Sequence, residues 1–195
     1  MMMIIGLTGA QGAGKSTLLE ELKARGWAVD PYKVSRAVQN ELGWSNLHQV
    51  MESWDTMRKF QDLVRTRKTE NDEALKGPIL VERTFADIVA YTQYWTWELV
   101  DARKISLGPA MAWLREYTLM CLEAQNRIYS SVLLLPLMEH VQFVDDPHRA
   151  RRNSAEQVYQ NEVNFVLMSS TPYFEISAKT TAERADQVIN FLNRN

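Results

Sequence analysis

The sequence predicts an α/β fold, a parallel sheet with helices on both faces. Short unbroken apolar runs recur along the 195 residues, and the segments between them carry apolar positions at helical spacing. A glycine-rich loop joins the first apolar run to the first helical segment. Strands that read as continuous apolar runs are buried on both faces, which requires helices above and below the sheet.

Met2 to Leu7 is the first predicted strand, followed by the loop and a helix over Lys15 to Arg25. Leu18, Leu19 and Leu22 share one side of that helix, and Gly26 stops it. Trp27 to Val29 reads as a second short strand, ended by Asp30-Pro31. Residues 34 to 42 and 46 to 72 read as helices, and the charged end of the latter, "RTRKTENDE", reads as a solvated face. Gly77-Pro78 breaks the chain before a third strand at Ile79 to Val81.

A long aromatic helix follows, to about Lys104, with Phe85, Ile88, Thr92, Trp95 and Leu99 on one face. Ser106 to Pro109 reads as a turn, Met111 to Arg127 as a helix and Val132 to Leu135 as a fourth strand. Ser154 with Gln157 forms a capping-box pattern for a helix to about Met168. Tyr173 to Ile176 is the fifth strand, and Thr180 with Glu183 caps a last helix whose face is Ala185, Val188, Ile189 and Leu192. No repeat or linker divides the chain, so residues 1–195 read as one domain.

Composition bounds the function. Apolar residues make up 46% and charged residues 24%, ordinary for a globular protein. A net charge of −2 supplies no broad basic field for nucleic acid or membrane. The single cysteine, Cys121, excludes an internal disulfide and reads as a buried thiol. His48, His140 and His148 are too scattered for a metal site. Met1 to Leu7 lacks a basic flank, and no run of about 18 apolar residues predicts a membrane span, so the expected location is the cytoplasm, a host's if the chain is phage-encoded.

The loop fits G-x-x-x-x-G-K-[ST] over Gly9 to Ser16, between strand and helix as that motif requires. Backbone N–H groups of Gly9, Gln11, Gly12, Ala13, Gly14, Lys15, Ser16 and Thr17 are expected to cradle a polyphosphate, aided by the helix N-terminus. Lys15 is expected at the outer phosphates and Ser16 on Mg²⁺, which makes ATP and Mg²⁺ the predicted ligands. The fold expectation is therefore a P-loop NTPase three-layer fold, with a five-stranded parallel sheet and a short lid at about residues 144–157. Glu82 and Arg83 end the third strand, where a carboxylate can orient or deprotonate an acceptor, or hold magnesium through water, and a guanidinium can clamp a phosphate.

The run Glu82-Arg83-Thr84-Phe85-Ala86-Asp87 resembles the "ERS" segment of deoxynucleoside kinases. With Ala90-Tyr91-Thr92-Gln93 it is also similar to the "DR…AYQ" segment of thymidylate kinases. The resemblance implies that Glu82 and Arg83 stand beside the phosphoryl acceptor. The first forty residues are similar to dephospho-coenzyme A kinases, with Asp30 and Arg36 at acceptor-side positions and Tyr32 where that pattern has a second aspartate. Viral deoxynucleoside monophosphate kinases belong to the same broad group. "VDDPHRARRNSAEQ" resembles the lid of small P-loop kinases, including the AAA-like nucleoside kinases common in phages, and this implies that Arg149, Arg151 and Arg152 close over the triphosphate.

Ser177 and Ala178, after the last strand, are expected near the nucleotide base. Tyr32, Arg36 and Tyr91 are expected in the acceptor pocket, and Asp30 competes with Glu82 as base. The reading is ATP- and Mg²⁺-dependent phosphoryl transfer to a (deoxy)nucleoside monophosphate. The alternatives are a nucleoside kinase, a phage-type kinase of hydroxymethylated pyrimidine in DNA, and a nucleotide-switched GTPase or ATPase. The DNA version needs a basic track, for which residues 58–68 ("RKFQDLVRTRK") are the source outside the lid. The GTPase class needs D-x-x-G after the third strand, where this chain reads Val-Glu-Arg-Thr. Aromatics on the 85–104 helix suit a homodimer face as well as a core.

Overall fold

A computed structural model describes residues 3–137 and 154–194. Its elements are β1 (Ile4–Thr8), α1 (Lys15–Ala24), β2 (Val29–Asp30), α2 (Val34–Glu41), a short 3-10 helix (Leu47–Met51), α3 (Trp54–Ala74), β3 (Ile79–Glu82), α4 (Phe85–Asp101), α5 (Leu107–Ile128), β4 (Ser131–Leu134), α6 (Ala155–Met168), β5 (Tyr173–Glu175) and α7 (Thr181–Leu192). The five strands form one parallel sheet in the order β2-β3-β1-β4-β5. All strands point one way, so Thr8, Asp30, Glu82, Leu134 and Glu175 end along a single edge.

Alternation along the strands divides the core. Ile5, Leu7, Leu80 and Leu133 face α1 and α7, while Ile4, Val81 and Val132 face the larger cluster built by α2 to α6. Each of the fully buried aliphatic side chains among them contributes about 1.5–3 kcal/mol relative to exposure. Gly6 lies on the larger side, where a Cβ would stand 2.3 Å from Thr84 Cγ2. The missing side chain therefore lets the start of α4 close onto β1.

The predicted 46–72 helix is two elements. Ser53 accepts the Thr56 N–H at 3.1 Å and starts α3 afresh after the 3-10 helix. Ser106 to Pro109 is the first turn of α5 rather than a free turn; Pro109 costs nothing there because that position's N–H has no helical partner. The Thr180–Glu183 box caps α7 as expected, but Ser154 makes no capping bond to α6. A further box, unforeseen, joins Thr84 and Asp87 at the head of α4. Residues 144–153 of the predicted lid lie outside the described residues.

Candidate functional site

The loop between β1 and α1 folds as an open cradle of backbone at the head of α1. Gly14, the N-cap of α1, is left-handed at φ 89°, a conformation that disfavours any side chain. At Gly9 a Cβ would stand 2.5 Å from the Leu135 carbonyl oxygen, so only glycine lets β1 leave the sheet beside the end of β4. Lys15 opens α1 and is nearly fully buried. Its ammonium donates to the carbonyls of Gly9 and Ala10, the latter at 3.1 Å, and lies 3.6 Å from Asp87 Oδ1.

Two strand ends meet at the mouth of this loop. Ser16 Oγ donates to Glu82 Oε1 at 2.9 Å, so the β3 carboxylate faces the cradle. This pair of oxygen groups, a hydroxyl and a carboxylate, is the hard donor set that Mg²⁺ takes. Arg83, one residue on, is held at φ 67°, a left-handed conformation that costs a residue with a side chain roughly 1–2 kcal/mol. Its N–H donates to the Leu7 carbonyl at 2.9 Å, and the guanidinium lies 3.8 Å from Asp87 and 5.7 Å from the centre of the Tyr91 ring. Burial pushes the Tyr91 hydroxyl up to about 12, against the opposing pull of Arg83, so it stands protonated.

Asp87 ties the two cations together. It accepts Thr8 Oγ1 at 2.7 Å and the Thr84 N–H at 2.8 Å, both bonds fully buried. Sequence reasoning left Asp87 without a role, although Thr-x-x-Asp before an apolar run is the capping signature that could have placed it. Behind it, Glu162 on α6 is fully buried, and among the described residues neither carboxylate oxygen has a hydrogen-bond partner. Burial, reinforced by the charge of Asp87 and opposed by Lys15 and Arg83, pushes its carboxyl well above the usual range.

A cleft of ≈ 360 Å³ runs from the loop to the aromatic side of the molecule. Ala10, Gln11, Gly12, Gly14, Lys15, Ser16 and Thr17 form its phosphate end with Glu82, Arg83 and Asp87. Phe60, Gln61 and Val64 of α3, and Ile88, Tyr91 and Trp95 of α4, form the far wall; Tyr32, Lys33 and Arg36 stand on the third side. Phe60 and Trp95 meet edge to face at 6.2 Å, and Tyr91 and Trp95 lie at 5.7 Å. The buried Gln61 amide and the Lys33 cation are cleft groups that the sequence reading did not single out.

Other predicted groups lie elsewhere. Asp30 is not among the cleft-lining residues: Oδ1 accepts the Tyr32 N–H at 3.3 Å and Oδ2 accepts Asn71 Nδ2 at 2.8 Å, so both oxygens shape the turn into α2. Ser177 and Ala178 do not line the cleft either. Gln187 bonds to the Ser177 hydroxyl and the Ala178 N–H, each at 2.9 Å. Arg184 links their loop to the cradle, donating to the carbonyls of Ala178 and Ala13 at 2.9 Å each. Arg149, Arg151, Arg152, His140 and His148 lie outside the described residues. Cys121 is buried, and burial pushes its thiol up.

The 58–68 cluster does not form a basic track. Arg67 pairs with Glu41 and Glu70, Lys68 is buried against Asp72, and Arg58 and Lys59 share their groove with Asp55 and Asp62. Among the described residues no cluster of His, Cys, Asp and Glu could hold a metal by itself, and no helix is long and apolar enough to cross a membrane.

A family model described as an AAA domain matches residues 4–184. No curated protein matches the sequence. Among solved structures, deoxyadenosine kinase from M. mycoides with bound dATP superposes at a TM-score of 0.65 with 18% identity, over 98% of this chain and 100% of that one. The same enzyme with the products dCMP and a flexible dCDP gives 0.62 at 16% identity, over 98% and 99%. Thymidylate kinase from Candida albicans gives 0.66 at 17% identity, over 100% of this chain and 92% of that one. The fold is theirs in common.

Proposed function

The chain belongs to the AAA-domain family, and from that membership and the geometry of the cleft we propose that it is a nucleotide kinase. On this reading it moves the terminal phosphoryl group of ATP to a (deoxy)nucleoside monophosphate. The observation that carries the reading is the Ser16–Glu82 bond: a carboxylate from another strand stands at the phosphate cradle and opens onto the same cleft as Arg83. The fold shared with a deoxyadenosine kinase and a thymidylate kinase agrees with it.

Roles follow from placement. The backbone N–H groups of residues 9–17 and Lys15 hold the polyphosphate. Lys15 exchanges its bonds to the Gly9 and Ala10 carbonyls for phosphate oxygens. Ser16 and Glu82 would hold Mg²⁺, which supplies charge neutralisation on the transferred group. Arg83 clamps the acceptor phosphate, with Lys33 and Arg36 beside it. Phe60, Tyr91 and Trp95 take the base, and the Gln61 amide offers it a donor and an acceptor. Phosphoryl transfer mostly needs positioning and charge, and this constellation supplies both.

The cleft also favours a phosphate acceptor over a hydroxyl. A phosphomonoester attacks through an oxygen that is already ionised, whereas a nucleoside hydroxyl needs a base. Among the described residues, Glu82 and Asp87 are the carboxylates lining the cleft; the first is bonded to Ser16 and the second to Thr8, the Thr84 N–H and two cations. An acceptor screen tests the reading: ATP and Mg²⁺ with nucleosides, their monophosphates, dephospho-coenzyme A and hydroxymethylated DNA. Turnover with a deoxynucleoside monophosphate, abolished in Lys15→Ala, is expected. Slow hydrolysis that no acceptor accelerates would assign the protein to the nucleotide-switch class instead.

A further inference from the structure

The C-terminal half of α3 carries charges that a solvated face should leave outside, yet Lys68 and Asp72 are 1% and 0% exposed. Lys68 Nζ lies 3.0 Å from Asp72 Oδ2 and 3.4 Å from the Glu82 carbonyl oxygen. Tyr129, leading into β4, donates its hydroxyl to Asp72 Oδ2 at 2.6 Å; burial, with Asp72 adding to it, keeps that hydroxyl protonated. Asn71 Nδ2 donates both to Asp72 Oδ1 at 3.0 Å and to Asp30 Oδ2 at 2.8 Å. The other oxygen of Asp30 fixes the turn at Tyr32.

One turn of one helix therefore reaches three places. Through Lys68 it holds the backbone of Glu82, through Asn71 and Asp30 it holds the loop carrying Tyr32 and Lys33, and through Asp72 it anchors to Tyr129. Two turns earlier the same helix presents Phe60 and Gln61 to the cleft. The three walls of the acceptor side are registered against one another at this point.

We propose that Lys68, Asn71 and Asp72 are positioning residues that set the acceptor half of the cleft against the phosphate half. The proposal rests, for its kinetic part, on the nucleotide-kinase reading. A buried ion pair is weak evidence for stability, because apolar residues of similar volume commonly replace one without loss. Once Tyr129→Phe removes the hydroxyl that Asp72 accepts, what Leu and Met cannot replace are the bonds to the Glu82 carbonyl and, through Asn71, to Asp30. These are the bonds that reach the cleft. Stability and function should consequently separate.

Two variants test it, Asn71→Ala, at a half-buried position, and the triple replacement Lys68→Met, Asp72→Leu and Tyr129→Phe, in which no hydroxyl is left facing the new leucine. In both, amide hydrogen exchange should quicken in residues 30–34, and in the triple variant also in residues 82–84, there with the urea midpoint unchanged. In kinetics, the acceptor KM should rise about tenfold to a hundredfold while the ATP KM stays within about twofold. A structural role alone would lower the urea midpoint and leave that KM split absent. Exchange unchanged in both segments overturns the positioning claim whatever the protein catalyses. Wild-type protein that turns over no acceptor overturns the kinase reading, and the exchange result still decides the network.

Discussion

Replacing Glu162 by glutamine should make the protein more stable as the pH rises. The glutamate is fully buried on α6, neither oxygen has a hydrogen-bond partner among the described residues, and Asp87 adds a like charge. Its carboxyl therefore keeps its proton in the folded protein at pH values where the unfolded chain has lost it. A raised acid costs stability from the unfolded value, 4.5, upward, because there the unfolded state releases a proton that the folded state retains. The cost grows with pH for as long as the folded carboxyl keeps its proton, at a slope that for a single proton is at most about 1.4 kcal/mol per pH unit.

Glutamine has the same shape and does not titrate. Its own unpaired amide costs the same at every pH, so the difference between the two proteins isolates the proton. Urea unfolding at pH 5, 6 and 7 should show Glu162→Gln gaining on the wild type at each step, by at most about 1.4 kcal/mol per pH unit. Stability curves that stay parallel would show that Glu162 ionises in the fold, and would refute the reasoning. The neutral form also suits the site: with Glu162 uncharged, Lys15 and Arg83 are matched by Asp87 and Glu82 rather than outnumbered by three carboxylates.

Glu82→Gln keeps the bond geometry to Ser16 and removes the charge; turnover should fall by roughly 10²–10³-fold, with ATP affinity little changed and saturation shifted to higher Mg²⁺, as steady-state kinetics across a Mg²⁺ series would show. Full turnover in that variant would show that the Glu82 charge is not needed at the cradle. Gly9→Ala should abolish ATP binding in calorimetry and lower the unfolding midpoint, because the new methyl meets the Leu135 carbonyl at 2.5 Å on a backbone at φ 153°. Binding at wild-type strength would mean that the loop can re-route around the end of β4.

The strands were legible because burial on both faces writes them as unbroken apolar runs, and their boundaries moved by only a residue or two. The phosphate end of the cleft was equally legible, since its residues are consecutive. What hid were side chains whose meaning depends on partners far along the chain. Asp30 ends a strand as read, but Asn71, on another helix, decides that it faces the turn. Lys68 and Asp72 look like surface charges because a helix pattern cannot tell a solvated residue from one paired inside. The 46–72 segment reads as one helix until the Ser53 cap is noticed, and Pro109 reads as a breaker although it sits where a helix tolerates it.

β1 is made before both of its neighbours, β3 and β4, and lies between them in the middle of the sheet. Ile5 aligns with Leu80 on one flank and with Ser131 on the other. At ribosomal speeds of roughly 5–20 residues per second, the gap between making β1 and supplying its second flank is on the order of 6–25 s. Until β3 is made the strand Ile4–Thr8 lacks both edges of its pairing, and from then to residue 131 it still lacks one, an apolar edge exposed to wrong partners. A nascent chain arrested before residue 131 would hold every letter of the glycine motif and lack the strand end against which Gly9 packs.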